Sequence, residues 1–232
     1  MIQRLYLLKG GHDTEDRRLD RLPQFDKRSR AFPIRELLTP KPLVTKTWRC
    51  WTWLDQGREG ACVGFSWSHE LAAEPMTIPL RTNDSAREIY NDAKKIDEWA
   101  GEDYSGTSVL AGAKVVQSRG YMPEYRWCFG IDDLVNTLSH HGPVVLGIPW
   151  LRSMFNPDAK GVLKVEGEVA GGHAILARGV LLKKFGRPVV RLRNSWGRDW
   201  GYDGDCFVYF EDMERLLKMD GDACVPVRRR RP

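Results

Sequence analysis

The sequence predicts an α+β fold, with a helical first half followed by a mostly antiparallel β second half. Two patterns carry this expectation. Between Cys62 and His140 apolar residues recur at helical spacing, whereas from Val144 onward short runs of Val, Ile, Leu and aromatic residues alternate with Gly, Pro and Asp. With 232 residues, 42% of them hydrophobic and nine Trp, the chain can fill a real core as one large domain or two packed lobes.

The elements follow in order. Residues 1–46 are rich in charge and broken by Pro23, Pro33, Pro40 and Pro42, which predicts an extended arm, either a strap over the domain or a segment that occludes or guides access to a site. The first helix spans Cys62 to Glu74. Val63, Trp67 and Leu71 line one side while Phe65 and Ala72 cover the opposite one, so this helix is expected in the centre, ended by Pro75. A second helix fits Asp84 to Trp99, with Ile89, Ala93 and Ile96 inward. A third starts from the capping cluster Ser105-Gly106-Thr107-Ser108 and runs to Gly120, and a fourth covers Ile131 to His140 before Gly142-Pro143. Strands are expected at Val144–Ile148, Gly161–Val169, His173–Leu182, Pro188–Arg193 and Cys206–Phe210. The expected organisation is an arm at 1–46, a helical lobe at about 47–142, a β lobe at about 143–222, and a basic tail at 223–232.

The net charge of +5 arises from 36 basic and 31 acidic residues mixed along the chain, so no nucleic-acid groove is implied. The exceptions are Arg228–Arg231 and a smaller cluster of Lys27, Arg28 and Arg30. Such runs are usually solvated, and a minority contact phosphate or a larger assembly. The start of the chain offers only Leu5 to Leu8 as an apolar stretch, too short for a secretory signal or a membrane span. Five widely spaced cysteines, Cys50, Cys62, Cys128, Cys206 and Cys224, without a C-x-x-C pair, read as a reduced set and not as a zinc site. The expected location is therefore intracellular, or on a particle. Asp203-Gly204-Asp205 lacks the remaining ligands of a calcium loop and reads as a turn, and no phosphate-binding glycine motif occurs. No metal or other cofactor is called for.

Cys62 stands out because it follows Gly57 and Gly60 and opens a helix, where backbone amides can face a developing negative charge. A lone cysteine in such a position is more often a small core residue than a nucleophile. Gln56 adds a side-chain amide six residues earlier. A base is then needed. His69 lies on the same helix roughly 10 Å further along and cannot reach the sulfur. His140 and His141 sit at a helix end, and His12 lies in the arm. His173 follows Gly171-Gly172 and opens a strand whose hairpin partner ends at Asn194. A turn at Lys183 to Gly186 would place His173 opposite Asn194, an imidazole facing an amide that can orient it, with the Trp196 indole as a shield.

These residues stand in three blocks, Gln56-Gly57-x-x-Gly60-x-Cys62-x-x-Phe65-Ser66, Gly172-His173-Ala174 and Asn194-Ser195-Trp196-Gly197-x-x-Trp200-Gly201. Together they resemble the papain family of cysteine peptidases, and Tyr104 to Ser108, Gly120 to Glu124 and Gly142-Pro143-Val144 resemble segments of its shorter bacterial and phage-type members. The resemblance implies a two-lobe fold with a β-barrel-like second lobe and the cleft between lobes. It implies Cys62 as nucleophile, His173 as general acid and base, Asn194 as orienter, and Gln56 with the Cys62 amide as oxyanion hole. Gly106, Gly172 and Trp196 would line the substrate, a polypeptide. Three departures are visible: Glu59 replaces a disulfide cysteine, Val63 replaces an aromatic residue, and Ser105-Gly106 stands for a glycine pair. No prodomain pattern precedes residue 47, so either the enzyme is made active or the arm controls access. The leading expectation is a thiol endopeptidase. The alternatives are an assembly protein on the same scaffold, for instance in a phage particle, and a thiol amidase acting on cell-wall peptides.

Overall fold

The computed structural model describes residues 19–79, 82–99 and 104–232. His12, Leu5 to Leu8 and the first part of the arm lie outside the described residues. Among the described residues five α-helices, α1 (Cys62–Ala72), α2 (Asn83–Ile96), α3 (Val109–Ser118), α4 (Ile131–His140) and α5 (Phe210–Lys218), accompany an antiparallel sheet. Its strands are β1 (Lys46–Thr47), β2 (Glu124–Trp127), β3 (Val144–Leu151), β4 (Val169–Leu181), β5 (Val189–Arg193), β6 (Asp205–Tyr209) and β7 (Asp222–Val227). They are ordered β2-β7-β3-β4-β5-β6, with β1 added on β4. The α+β architecture is the expected one. The barrel-like closure is not present, because β2 and β6 end the sheet without pairing.

Every residue of β3 is buried, which follows from its position between two cores. Val145 packs with Ala174 and Leu176 against α1 and α3, while Val144, Leu146 and Ile148 face α4 and α5. Helix α1 is buried at all eleven positions. Its neighbours approach closely because Gly64 and Gly112 lack side chains: a Cβ at Gly112 would stand 2.3 Å from Trp67, and one at Gly64 2.3 Å from the Ala86 carbonyl. Helix α2 begins with a reciprocal Thr82/Ser85 capping box and turns Ala86, Ile89 and Ala93 inward. Ile96, expected on that stripe, is exposed at the helix end.

Several expectations are corrected. Residues 161–169 form no strand before Val169. Gly161 and Gly167 adopt positive φ, and Ser153 Oγ clamps the loop through the Glu166 carbonyl at 2.7 Å. The β4–β5 register is displaced from the predicted one: Leu176 pairs with Arg193 and Val180 with Val190, with a bulge between. His173 therefore lies opposite Ile148 of β3, and Asn194 follows the end of β5. The tail placed at 223–232 is largely not a tail. Ala223, Cys224 and Val225 belong to β7, in the middle of the sheet, where four nearby arginines mask a short apolar run in the sequence. Beyond it, Arg229 Nη1 lies 2.9 Å from the buried Glu70 carboxylate and the Arg230 amide donates to the Tyr121 carbonyl at 2.9 Å, so these residues dock on the domain's own surface. The arm reads as a strap from Leu22 onward: Ile34 enters the core beside α4, and β1 joins the sheet.

All five cysteines are free and buried. Asp205, the last residue of the Asp203-Gly204-Asp205 stretch, is enclosed by arginines. It receives Arg178 at 2.5 Å, Arg191 at 2.5 Å and Arg193 at 2.5 Å, a buried cluster locking β4, β5 and β6 together. Among the described residues no helix is long and apolar enough to cross a membrane, and no group of three or more His, Cys, Asp or Glu could hold a metal.

His69 is buried, and its Nε2 accepts the Leu54 amide at 3.3 Å. Burial, reinforced by Arg193, pulls its pKa down to about 3, so the ring stays neutral in the fold but charges near pH 6.5 once unfolded. Stability held by the neutral ring is thus complete above pH 6.5 and is lost as pH falls toward about 3. His69→Gln, which can still accept the Leu54 amide, should lose less melting temperature than the parent over that interval. Parallel melting profiles would place the acid sensitivity elsewhere.

Candidate active site

Cys62 is the first residue of α1, and the helix has no side-chain cap, so none of its first amides is spent on one. The Ala174 amide of β4 reaches Cys62 Sγ at 3.4 Å, which ties the helical lobe to the β lobe at the sulfur. His173 is the adjacent residue. Its Nε2 lies 2.8 Å from Asn194 Oδ1, and the Ser195 amide also donates to that oxygen at 2.8 Å. An amide N–H can only donate, so the atom it meets is the oxygen, and Nε2 of His173 must carry the proton. The neutral ring then has Nδ1 as its basic nitrogen.

An aromatic wall closes around this pair. The Trp150 and Trp196 rings stand 4.8 Å and 5.0 Å from the imidazole, Trp200 packs edge-on to Trp196, and Phe155 stacks on the other face of the cluster. His173 and Asn194 are buried. Of these rings the sequence singles out Trp196, which packs against the imidazole, but neither Trp150 nor Phe155.

Gln56 is fixed from three directions. Its amide donates to the Ser195 carbonyl at 2.9 Å, its Oε1 accepts from Ser195 Oγ at 2.6 Å, and its Nε2 donates to the Glu59 carbonyl at 2.7 Å. The Nε2 group is consequently a held donor on the approach to α1. Ser195 was overlooked in the sequence, although the Asn-Ser-Trp block contains it. It holds Gln56 through its hydroxyl and Asn194 through its amide, linking two predicted site residues. Glu59, at the position of the missing disulfide cysteine, pairs with Arg87 at 2.9 Å.

The cleft between the lobes is occupied by the arm. The Arg21 amide donates to the Gly172 carbonyl at 2.8 Å on the β side, and the Leu22 amide to the Thr107 carbonyl at 2.9 Å on the helical side. Gly106 and Gly172 are where the chain comes nearest: a Cβ would stand 1.8 Å from the Asp20 carbonyl at Gly106 and 2.1 Å from the Arg21 carbonyl at Gly172. The Cys62 thiol donates to the Leu19 carbonyl oxygen at 3.3 Å. Burial raises its pKa to about 12, against the smaller opposing pull of the Ala174 amide, so the sulfur is a protonated thiol here. An occluding arm is one of the two expectations for residues 1–46, but Leu19 to Leu22 carry no motif that would single them out as the part lying in the cleft.

Comparison with known proteins agrees with this architecture. A family profile described as papain family cysteine protease matches residues 90–224, more than half of the chain, including His173 and Asn194 but not Cys62. No curated protein matches the chain in sequence. Among solved structures, xylellain, a cysteine protease from Xylella fastidiosa, superposes with a TM-score of 0.67 at 21% identity, over 92% of this chain and 97% of that one. Digestive procathepsin L 3 of the Tenebrio molitor larval midgut gives 0.57 at 16% identity, over 96% and 77%. ProCathepsin B S9 from Trypanosoma congolense gives 0.53 at 14%, over 91% and 87%. At these identities the superpositions speak for the fold, while the profile match speaks for descent. The chain belongs to the papain family of cysteine proteases.

Proposed function

We propose that this cysteine peptidase is an endopeptidase working through a thioester acyl-enzyme, and that residues 19–22 keep it idle until they leave the cleft. The reading is carried by the pairing of His173 Nε2 with Asn194 Oδ1 at 2.8 Å, beside the Ala174 amide that touches Cys62 Sγ. Asn194 takes one ring nitrogen, so Nδ1 of His173 is the group that receives the thiol proton. The thiolate attacks the scissile carbonyl carbon, a carbon–sulfur bond forms, and the oxygen takes the negative charge. Gln56 Nε2 and the Cys62 amide donate to that oxygen, an arrangement worth about 3 to 4 kcal/mol per donor where measured in other enzymes. The imidazolium returns its proton to the amine as the carbon–nitrogen bond breaks. Water, deprotonated by the same ring, then attacks the thioester, releasing the acid and the thiol.

The arm is placed against this sequence of steps. Leu19 presents its carbonyl oxygen to the sulfur instead of its carbon, so the thiol is tied up as a hydrogen-bond donor and no bond is lined up for attack. The raised thiol pKa accords with an idle state, because the nucleophile is the thiolate. Two of the superposed proteins are named as proenzymes, procathepsin L 3 and proCathepsin B S9, which is in keeping with an occupied cleft here.

In the full chain, a peptidyl epoxide should modify Cys62 slowly. Arg21→Ala, which strips the arm of its ion pair, should raise the rate at Cys62 about tenfold or more while the other four cysteines stay unreactive. An unchanged Cys62 rate, read by peptide mass mapping, would remove the arm from the account. In that Arg21→Ala background, Cys62→Ala should abolish hydrolysis of a denatured protein substrate without lowering the melting temperature, and Asn194→Ala should reduce kcat/KM by a smaller factor. Undiminished cleavage by the Cys62→Ala chain would end the proposal.

A further inference from the structure

We infer that the buried carboxylate of Asp222 is the recognition group of a side-chain pocket that selects an arginine or lysine of the polypeptide substrate, and that Arg21 of the arm is its present occupant. This deepens the peptidase reading above and rests on it.

Asp222 opens β7 and pairs across the sheet with Gly147 of β3. Its side chain is wholly buried, and the ion pair it makes among the described residues is with Arg21, whose Nη2 lies 2.9 Å from Oδ2. Arg21 Nη1 also donates to the Asp220 carbonyl at 3.0 Å. The space for the guanidinium exists because residue 147 is glycine: a Cβ there would stand 2.4 Å from Arg21 Nε and 2.3 Å from Asp222 Oδ1. A buried carboxylate, a carbonyl acceptor and a missing side chain thus converge on one planar cation. Burial raises the Asp222 pKa and Arg21 pulls it back, with Arg30 adding a weaker pull in the same direction.

Three features distinguish this pocket from a core ion pair such as Asp205 with its arginines. The cation arrives on a segment that is tied to both cleft walls by main-chain bonds, Arg21 to Gly172 and Leu22 to Thr107, contacts that any polypeptide can make. That same segment puts the Leu19 carbonyl against Cys62 Sγ, so the pocket lies two residues from the reacting group. Finally, the strands that build the pocket supply the anion but no cation of their own. When the arm leaves, Asp222 is a buried charge without its partner, a state costly enough that a cationic side chain should be strongly preferred over an apolar one.

The test uses the full chain with Arg21→Ala. Peptides differ at one residue, Arg, Lys, citrulline or Leu, moved stepwise through the sequence, and kcat/KM is measured for each. Citrulline has the shape of arginine without its charge. One position should favour Arg over citrulline and Leu by tenfold or more, and Arg21→Ala/Asp222→Leu, which buries no unpaired charge, should reverse the order in favour of Leu. Binding is measured in parallel by calorimetry on Cys62→Ala/Arg21→Ala, which needs no chemistry. Cleavage with equal rates for Arg and citrulline at every position overturns the pocket and leaves the peptidase reading standing. No cleavage, but at least tenfold tighter binding of the Arg peptide that Asp222→Leu abolishes, supports the pocket and sinks the peptidase reading. No cleavage and no difference in binding overturns both.

Discussion

The sulfur of Cys62 is held where the helical core meets strand β4, and the rest of the site depends on that junction. Helix α1 has no face toward water, so its position is set by packing on both sides and cannot drift. Its first residue meets the amide of Ala174, the residue after His173, in a strand that β3 on one side and β5 on the other hold in register. A shift of either lobe would break that contact first. Ser195 extends the same constraint, since one residue anchors Gln56 from the helical side and the amide of Asn194 from the β side.

Two buried carboxylates illustrate how the fold separates permanent charge pairing from exchangeable pairing. Asp205 is surrounded by three guanidiniums, all from β4 and β5, so every partner is part of the sheet it stabilises. Such a cluster offsets the desolvation of its members only when complete. Asp222, by contrast, draws its cation from a segment outside the sheet. The partner it has here belongs to the arm that lies in the cleft. The difference is one of connectivity and not of chemistry.

The legibility of the fold in the sequence tracks how local the deciding interaction is. Helix α4 is read to the residue because its apolar stripe ends at Gly142-Pro143, a stop written in adjacent positions. Cys62, His173 and Asn194 are recognisable from short blocks whose glycines and amide are needed locally. Strand β7 was missed because six residues beside an arginine run look like a tail unless the two strands that sandwich them are known. The hairpin register failed for a related reason: a bulge between Ala177 and Gly179 is set by packing, not by the turn. The His173–Asn194 contact forms all the same, since side chains bridge what the ladder does not. Leu19 to Leu22 were unreadable as cleft occupants because main-chain bonding carries no sequence signal.

The occupied cleft also explains a chemical oddity: the thiol proposed as nucleophile has its pKa driven up to about 12, when that role calls for the opposite. The cause is burial, and what buries the sulfur on the open side is Leu19 to Arg21. The helix start and the imidazole are fixed by the scaffold, whereas the arm is one covering layer. On the proposed reading, departure of that layer readmits water to the thiol and removes the competing Leu19 acceptor, while the amides at the start of α1 stay where they are. The same displacement uncovers Asp222. If both proposals hold, exposure of the sulfur and of the charge that would recognise substrate is a single event, and a cationic chain entering the cleft meets both at once and competes with Arg21 for the same carboxylate.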